Sequence, residues 1–350
     1  FSAPGAGYTV LDKQFDFSVQ AKVDAFSYGI SYDPIKEAYT FLNVYNGDTI
    51  NKYTPDVHEI SAEVTLNSTD ETDFGYTPEN IVGGDSVINS ADYNDADGAA
   101  YFGITVVGEL IFMVDSQGLV VEANMESRDV TNFAELLQPT DTYGDDPRLR
   151  GICADIENSM LYVGDYRGYA YSVDVSNDSV VLDGDGYLVS NEWVVTTIYD
   201  GSDILDQNGA NGKTFHPFDC TVADGKVYWV EYQNTDFSLT DNPGLGIYDI
   251  DSGDFMFNTD LFSRATQSIS SFESTLVIGL YNPPAVLVST MNDDESRSPF
   301  QVIAAGADQF FYIYGVGVDY ENGVIMISGR DDFGNLGGYF SFIQSDDLIM

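Results

Sequence analysis

Apolar residues in this chain come in short runs with polar residues interleaved, and clusters of Gly, Asp, Asn and Ser separate the runs. Alternation with a period of two, bounded by turn formers, predicts β-strands. Residues 148–190 show the pattern most fully: a first strand over 152–155, a turn at Glu157-Asn158-Ser159, a second strand over 160–164, a third over 168–175 and a fourth over 179–182. One segment, 130–137, reads as a helix that Pro139 would stop.

A phrase inside these strands repeats. Gly29-Ile30-Ser31-Tyr32-Asp33 returns as Gly151-Ile152-Cys153-Ala154-Asp155 and as Gly315-Val316-Gly317-Val318-Asp319, each followed by an aromatic-rich apolar run. Ile88-Asn89-Ser90-Ala91-Asp92 stands near the midpoint of the first two copies, and degenerate copies occur at Asp219-Cys220-Thr221-Val222 and Ser268-Ile269-Ser270-Ser271. Six all-β units of four strands predict a single β-propeller domain, with blades near 24–70, 85–127, 148–190, 214–262, 265–306 and 310–350; seven blades is the alternative count. The last unit shows only three strands, and residues 8–19 are apolar enough to supply the fourth. The N-terminal segment is therefore expected to close the ring on the last blade.

Met160-Leu161-Tyr162-Val163-Gly164-Asp165 with Gly168-Tyr169-Ala170-Tyr171-Ser172-Val173-Asp174, and Gly225-Lys226-Val227-Tyr228-Trp229 with Ile247-Tyr248-Asp249-Ile250-Asp251-Ser252-Gly253, resemble blades of the β-propeller superfamily of YVTN and quinoprotein-like repeats. The resemblance implies a fold and no particular activity, because such propellers host binding modules, scaffolds and enzymes alike. A quinone-dependent oxidoreductase is a third expectation on this ground alone, and the shortage of cationic ligands for an anionic cofactor weighs against it.

Charge narrows the setting. The chain carries 57 Asp and Glu against 13 Lys and Arg, a formal charge of -44. Clustered cations are what a nucleic-acid backbone requires, so DNA and RNA are not expected partners. Spread over a surface of about 14,000 Å², the net charges lie about 18 Å apart, beyond the Debye length of about 8 Å, so the fold tolerates them without extreme salt. No run of about 18 apolar residues appears, so no membrane span is predicted. Phe1 with the small residues Ser2, Ala3, Pro4 and Gly5 looks like the start of a chain whose leader has been removed. Asn67-Ser68-Thr69 and Asn177-Asp178-Ser179 are glycosylation sequons, at Asn67 and Asn177. These features favour an extracellular or cell-surface location.

The recurring Asp33, Asp92, Asp155 and Asp319 directly precede turns, where a carboxylate accepts from backbone N–H groups and fixes the hairpin. Calcium is the one cofactor expected. Asp92, Asn94, Asp95 and Asp97 offer oxygens at close spacing before Gly98, and Asp183 with Asp185, and Asp331 with Asp332, are similar fragments. With only His58 and His216, and no HExxH, GxSxG or phosphate-loop pattern, the usual hydrolase sets lack support, and no nucleotide or nicotinamide cofactor is expected. Arg residues are expected to tie acidic blades together by charge-assisted bonds. Cys153 and Cys220 fall on the first strands of consecutive units; aligning Leu161 with Val227 sets Cys220 against Ala154, one residue past Cys153, and predicts a disulfide.

The function expected is a secreted, non-enzymatic propeller acting as a structural, adhesive or protein- or glycan-binding module, with self-association into an extracellular assembly. The alternative is a calcium-dependent hydrolase or lactonase with its metal at the channel mouth.

Overall fold

The computed structural model describes residues 8–15, 18–23, 27–33, 37–43, 56–61, 101–115, 118–124, 130–136, 149–166, 168–177, 180–182, 188–191, 193–201, 215–231, 243–258, 261–262, 265–281, 284–291, 297–305, 312–319, 324–330 and 338–344. Two N-terminal strands, β1 (Tyr8–Phe15) and β2 (Ser18–Val23), precede the first sheet of β3 (Ser27–Asp33), β4 (Ala38–Asn43) and β5 (Asp56–Ser61). The second sheet is β6 (Tyr101–Val107), β7 (Leu110–Asp115), β8 (Leu119–Asn124) and β9 (Val130–Glu135). In the third, β10 (Leu149–Asp155), β11 (Met160–Asp165) and β12 (Tyr169–Asp174) lead through a separate hairpin, β13 (Val180–Leu182) and β14 (Leu188–Asn191), to the outer strand β15 (Val194–Asp200). The fourth sheet is β16 (Pro217–Ala223), β17 (Lys226–Glu231), β18 (Leu245–Asp249) and β19 (Phe255–Asn258). The fifth is β20 (Thr266–Phe272), β21 (Thr275–Leu280), β22 (Ala285–Thr290) and β23 (Phe300–Ala305), and the sixth begins with β24 (Tyr312–Asp319), β25 (Val324–Arg330) and β26 (Gly338–Gln344).

Among the described residues the first strands adjoin in a cycle: β3 meets β6, then β10, β16, β20 and β24 follow in turn, and β24 returns to β3. Meandering antiparallel sheets set radially about a common centre are the β-propeller architecture. The inner strands of a sheet are covered on both faces and so are buried along most of their length instead of on alternate residues, whereas an outer strand such as β15 is largely exposed. All six residues of β21 are buried: Leu276, Ile278 and Leu280 join Tyr228, Val230 and Leu245 of the fourth sheet, while Val277 joins Ile313, Val316 and Ile325 of the sixth. Period two thus splits one strand between two cores. Each such side chain contributes about 1.5–3 kcal/mol by leaving water.

Four expectations need correction. Residues 130–135 are strand β9, paired antiparallel with β8, because the open edge of a sheet outweighs the weak helical preference of so short a segment. Residues 180–182 belong to the separate hairpin of β13 and β14, and the fourth strand of the third sheet is β15 instead. In the second sheet the first strand is β6, so the repeated phrase stands at Gly103-Ile104-Thr105-Val106-Val107; Ile88–Asp92 lies outside the described residues. The N-terminal segment closes two sheets. Ser18–Val23 pairs antiparallel with β26, as ring closure requires, whereas Tyr8–Phe15 pairs in parallel with β23 of the fifth sheet. Parallel addition covers an outer edge that would otherwise offer unpaired N–H and C=O groups.

Candidate functional site

Every first strand carries one extra residue. In β10, Leu149 faces Asp165 but Gly151 already faces Gly164, which leaves Arg150 as a bulge. The same shift leaves out Gly29, Phe102, Phe218, Gln267 and Tyr314 in the other five first strands. These six residues meet on the axis around a void of about 10 Å³, room for no more than one water. The Arg150 guanidinium lies 3.4 Å from the Phe102 ring centroid and 5.2 Å from that of Tyr166, so the charge rests against aromatic faces. The bulges plug the channel.

The position after the bulge is glycine in three sheets, Gly103, Gly151 and Gly315. A Cβ on Gly151 would stand 2.4 Å from the Asp219 Cα, and one on Gly103 2.5 Å from the Arg150 carbonyl oxygen, so glycine is what lets neighbouring first strands approach. Asp219 and Ser268 hold the equivalent position in the fourth and fifth sheets. The Ser268 hydroxyl donates to Asp219 Oδ2 at 2.8 Å, the Ile269 N–H donates to the same oxygen at 2.9 Å, and the Val316 N–H donates to Ser268 Oγ at 3.1 Å. Three sheets are stapled through one chain of polar groups. Burial pushes the Asp219 carboxyl up to about 6, against the lowering effect of the hydrogen bonds from Ile269, Ser268 and Cys220.

Beyond Asp219 the channel opens into a cup of about 250 Å³ with a contribution from all six first strands. Cys153 and Cys220 form a disulfide on its wall, with Cα atoms 5.7 Å apart. The register places Cys153 opposite Tyr162 and Cys220 opposite Trp229, so Cys220 matches Ile152, one residue before Cys153 instead of one after. The β10–β11 hairpin spans residues 156–159 where the β16–β17 turn needs only Asp224 and Gly225, both at positive φ, and this difference moves the alignment by two. A one-residue offset in either direction reverses the face. Both thiols therefore point into the layer between the third and fourth sheets, among Tyr162, Val227 and Trp229.

Asp155 Oδ1 accepts the Asn158 N–H at 3.3 Å and Oδ2 accepts Asn158 Nδ2 at 2.7 Å, which fixes the longer hairpin. Asp33 and Asp319 are buried at the ends of their strands. Asp92, Asn94, Asp95, Asp97, Asp183, Asp185, Asp331, Asp332 and Asn67 lie outside the described residues. Asn177 is exposed just after β12. His216 is buried, with Nδ1 2.8 Å from the Tyr166 carbonyl oxygen, and its backbone N–H donates to Glu231 Oε1 at 2.9 Å, so it secures the start of β16. Arg297 ties two sheets together: it meets Asp224 at 3.3 Å, donates to the Ser274 carbonyl at 3.0 Å and lies 4.5 Å from the Tyr228 ring centroid. The bulge residues and Asp219 are the positions that sequence reasoning missed. For Asp219 the signal was a non-glycine where the repeated phrase has Gly in the third and sixth units.

No protein-family model matches the chain, and neither does any curated protein. Among solved structures, a chain from a crystal structure of a nidogen/laminin complex is 14% identical, over 84% of this chain and 85% of that one, with a TM-score of 0.49. The Dos1 propeller is 10% identical, over 91% of this chain and 69% of that one, with a TM-score of 0.48. Radial sheets, first strands in a cycle and an N-terminal strand completing the sixth sheet make this chain a β-propeller in architecture.

Proposed function

We propose that the chain is an extracellular interaction module: a non-enzymatic propeller with a structural or adhesive role, holding a protein or glycan partner, or further copies of itself, against its outer surfaces. The observation that carries this reading is the plugged centre. Bulge side chains are spent on filling the axis, and hydrogen bonds between first strands hold it fixed, so no channel runs through the ring, which favours a rigid body that presents surfaces. The disulfide supports an oxidising compartment, where such bonds persist. With a formal charge of -44, cationic partners and bound Ca²⁺ are favoured, the latter at the acidic stretches of sequence at 92–97, 183–185 and 331–332.

The test is sedimentation and surface capture of the native protein, in millimolar Ca²⁺ and in NaCl of equal ionic strength. Growth of oligomers, or retention of a defined extracellular protein or glycan, supports the proposal. A monomer that retains neither but hydrolyses esters or lactones in Ca²⁺ overturns it. The calcium sites have their own check, since ligands that bind only the folded state raise its melting temperature. Ca²⁺ should raise it more than matched NaCl does, and equal shifts would leave only screening.

A further inference from the structure

We propose that the cup in the channel binds a neutral, polyhydroxylated molecule of monosaccharide size. The cavity is blind: it opens where the first strands turn into the second, and the bulge plug lies at its other end, with Gly29 and Asp219 lining both. Its 250 Å³ equals about eight waters of liquid, enough for a pyranose ring with its hydroxyls.

The lining fits that chemistry. Ser31, Thr105, Thr221 and Ser270 bring hydroxyl-bearing residues from four of the six first strands. A hydroxyl both donates and accepts, as each hydroxyl of a sugar does, so the two sides can match in either sense. Each first strand also turns its unpaired edge toward the axis, because its one sheet partner is the second strand. Neighbouring side chains take up part of that edge: Ser31 Oγ accepts the Val106 N–H at 3.1 Å, and Asp219 accepts the Ile269 N–H at 2.9 Å. Between the polar positions Ile104, Ile152 and Ile269 supply apolar surface for the C–H faces of a ring.

Charge argues for a neutral ligand. Among the described residues no Lys, Arg or His lines the cup, and an anion would enter against a formal charge of -44. Among the described residues Asp219 is the one carboxylate in the lining, and its Oδ2 already accepts two hydrogen bonds. A calcium ion takes six to eight oxygens, with several carboxylates among them as a rule, and the cup offers one. The site lies inside the ring and does not rest on the proposal for the outer surfaces.

The test is saturation-transfer NMR and calorimetry on the intact disulfide-bonded chain with D-glucose, D-galactose, D-mannose and N-acetylglucosamine. Glucuronate serves as the anionic analogue, glucosamine as the cationic one, and Ca²⁺ alone is titrated as well. At least one neutral sugar should saturate a single site in the millimolar range or below and bind at least tenfold more tightly than either charged analogue. The paired variant Thr105→Val with Ser270→Ala should weaken it at least tenfold without lowering the melting temperature. Ile156 is exposed on the turn at the rim, so Ile156→Trp can narrow the mouth without touching the core, and it should weaken binding too. No binding by any of the four neutral sugars, preference for glucuronate, glucosamine or Ca²⁺, or affinity unmoved by both variants would each overturn the proposal.

Discussion

Asp219 accepts a hydrogen bond from the Ser268 hydroxyl at 2.8 Å, and both residues occupy the place that glycine holds in the second, third and sixth sheets. Substitution of a glycine at the crowded centre exchanges close backbone approach for a side-chain bridge. The bridge has a cost, because partial burial at the crowded centre disfavours the charged form of the Asp219 carboxyl.

That cost has a pH dependence. The folded carboxyl titrates at about 6 against an ordinary 3.8, so its contribution to stability is fully present below pH 4 and is lost as pH rises through 6. At neutral pH the ionised form costs on the order of 3 kcal/mol relative to the protonated one. Asp219→Asn keeps an acceptor for Ser268 and Ile269 and removes the charge. It should therefore melt several degrees above the parent chain at pH 7.5 and level with it at pH 4. A variant that melts lower at pH 7.5 would show that the charge itself holds the three sheets together.

Glycines at the centre and in the turns should respond differently to the same substitution. Gly151→Ala sets a methyl group 2.4 Å from the backbone of β16, which no rotamer change relieves, and should cost about 3 kcal/mol or more. Gly108→Ala meets nothing within 4 Å and pays only for φ +61, about 1–2 kcal/mol. Denaturant midpoints of the two variants check this; equal losses would mean that the first strands can move apart.

The fold was legible from the repeated phrase because a sheet covered on both faces has few ways to be written: short β-branched and aromatic runs, turns of Gly and Asp. Register was harder to read. Val107 stands where the first, third and sixth units have Asp, because a two-residue turn with Gly108 at φ +61 needs no side-chain cap, and the second unit was therefore placed too early in the sequence. The hairpin of β13 and β14 imitates a fourth strand, since a local pair of strands and a sheet edge have the same alternation. The channel was the least legible part. A bulge residue such as Arg150 or Phe218 has no signature of its own, and which six residues meet on the axis follows only from closure of the ring.

The two N-terminal strands should contribute separately. A chain beginning at residue 16 loses β1 and uncovers the edge of β23, while one beginning at residue 24 also loses β2 and opens the sixth sheet beside β26. The shorter truncation should fold with reduced stability and a tendency to associate through the freed edge. The longer one should lose cooperative unfolding. If both truncations melt alike, β2 does not hold the ring closed.

Bridge formation depends on the one-residue offset between the cysteines. Cys220 points toward the third sheet, into the layer that holds Cys153, whereas Thr221 points the other way and its Oγ1 lies 2.7 Å from Ser271 Oγ of the fifth sheet. Exchanging the two residues, Cys220→Thr with Thr221→Cys, keeps composition and nearly the same sequence separation from Cys153 but turns the thiol to the opposite face. The exchanged chain should show two reactive thiols when denatured without reductant, and the parent none. It should also lose about 4 kcal/mol, the chain-entropy contribution expected for a bridge spanning 67 residues. An exchanged chain that still forms its bridge would mean that β16 can slip by one residue against β10, which the glycine contact at Gly151 does not allow.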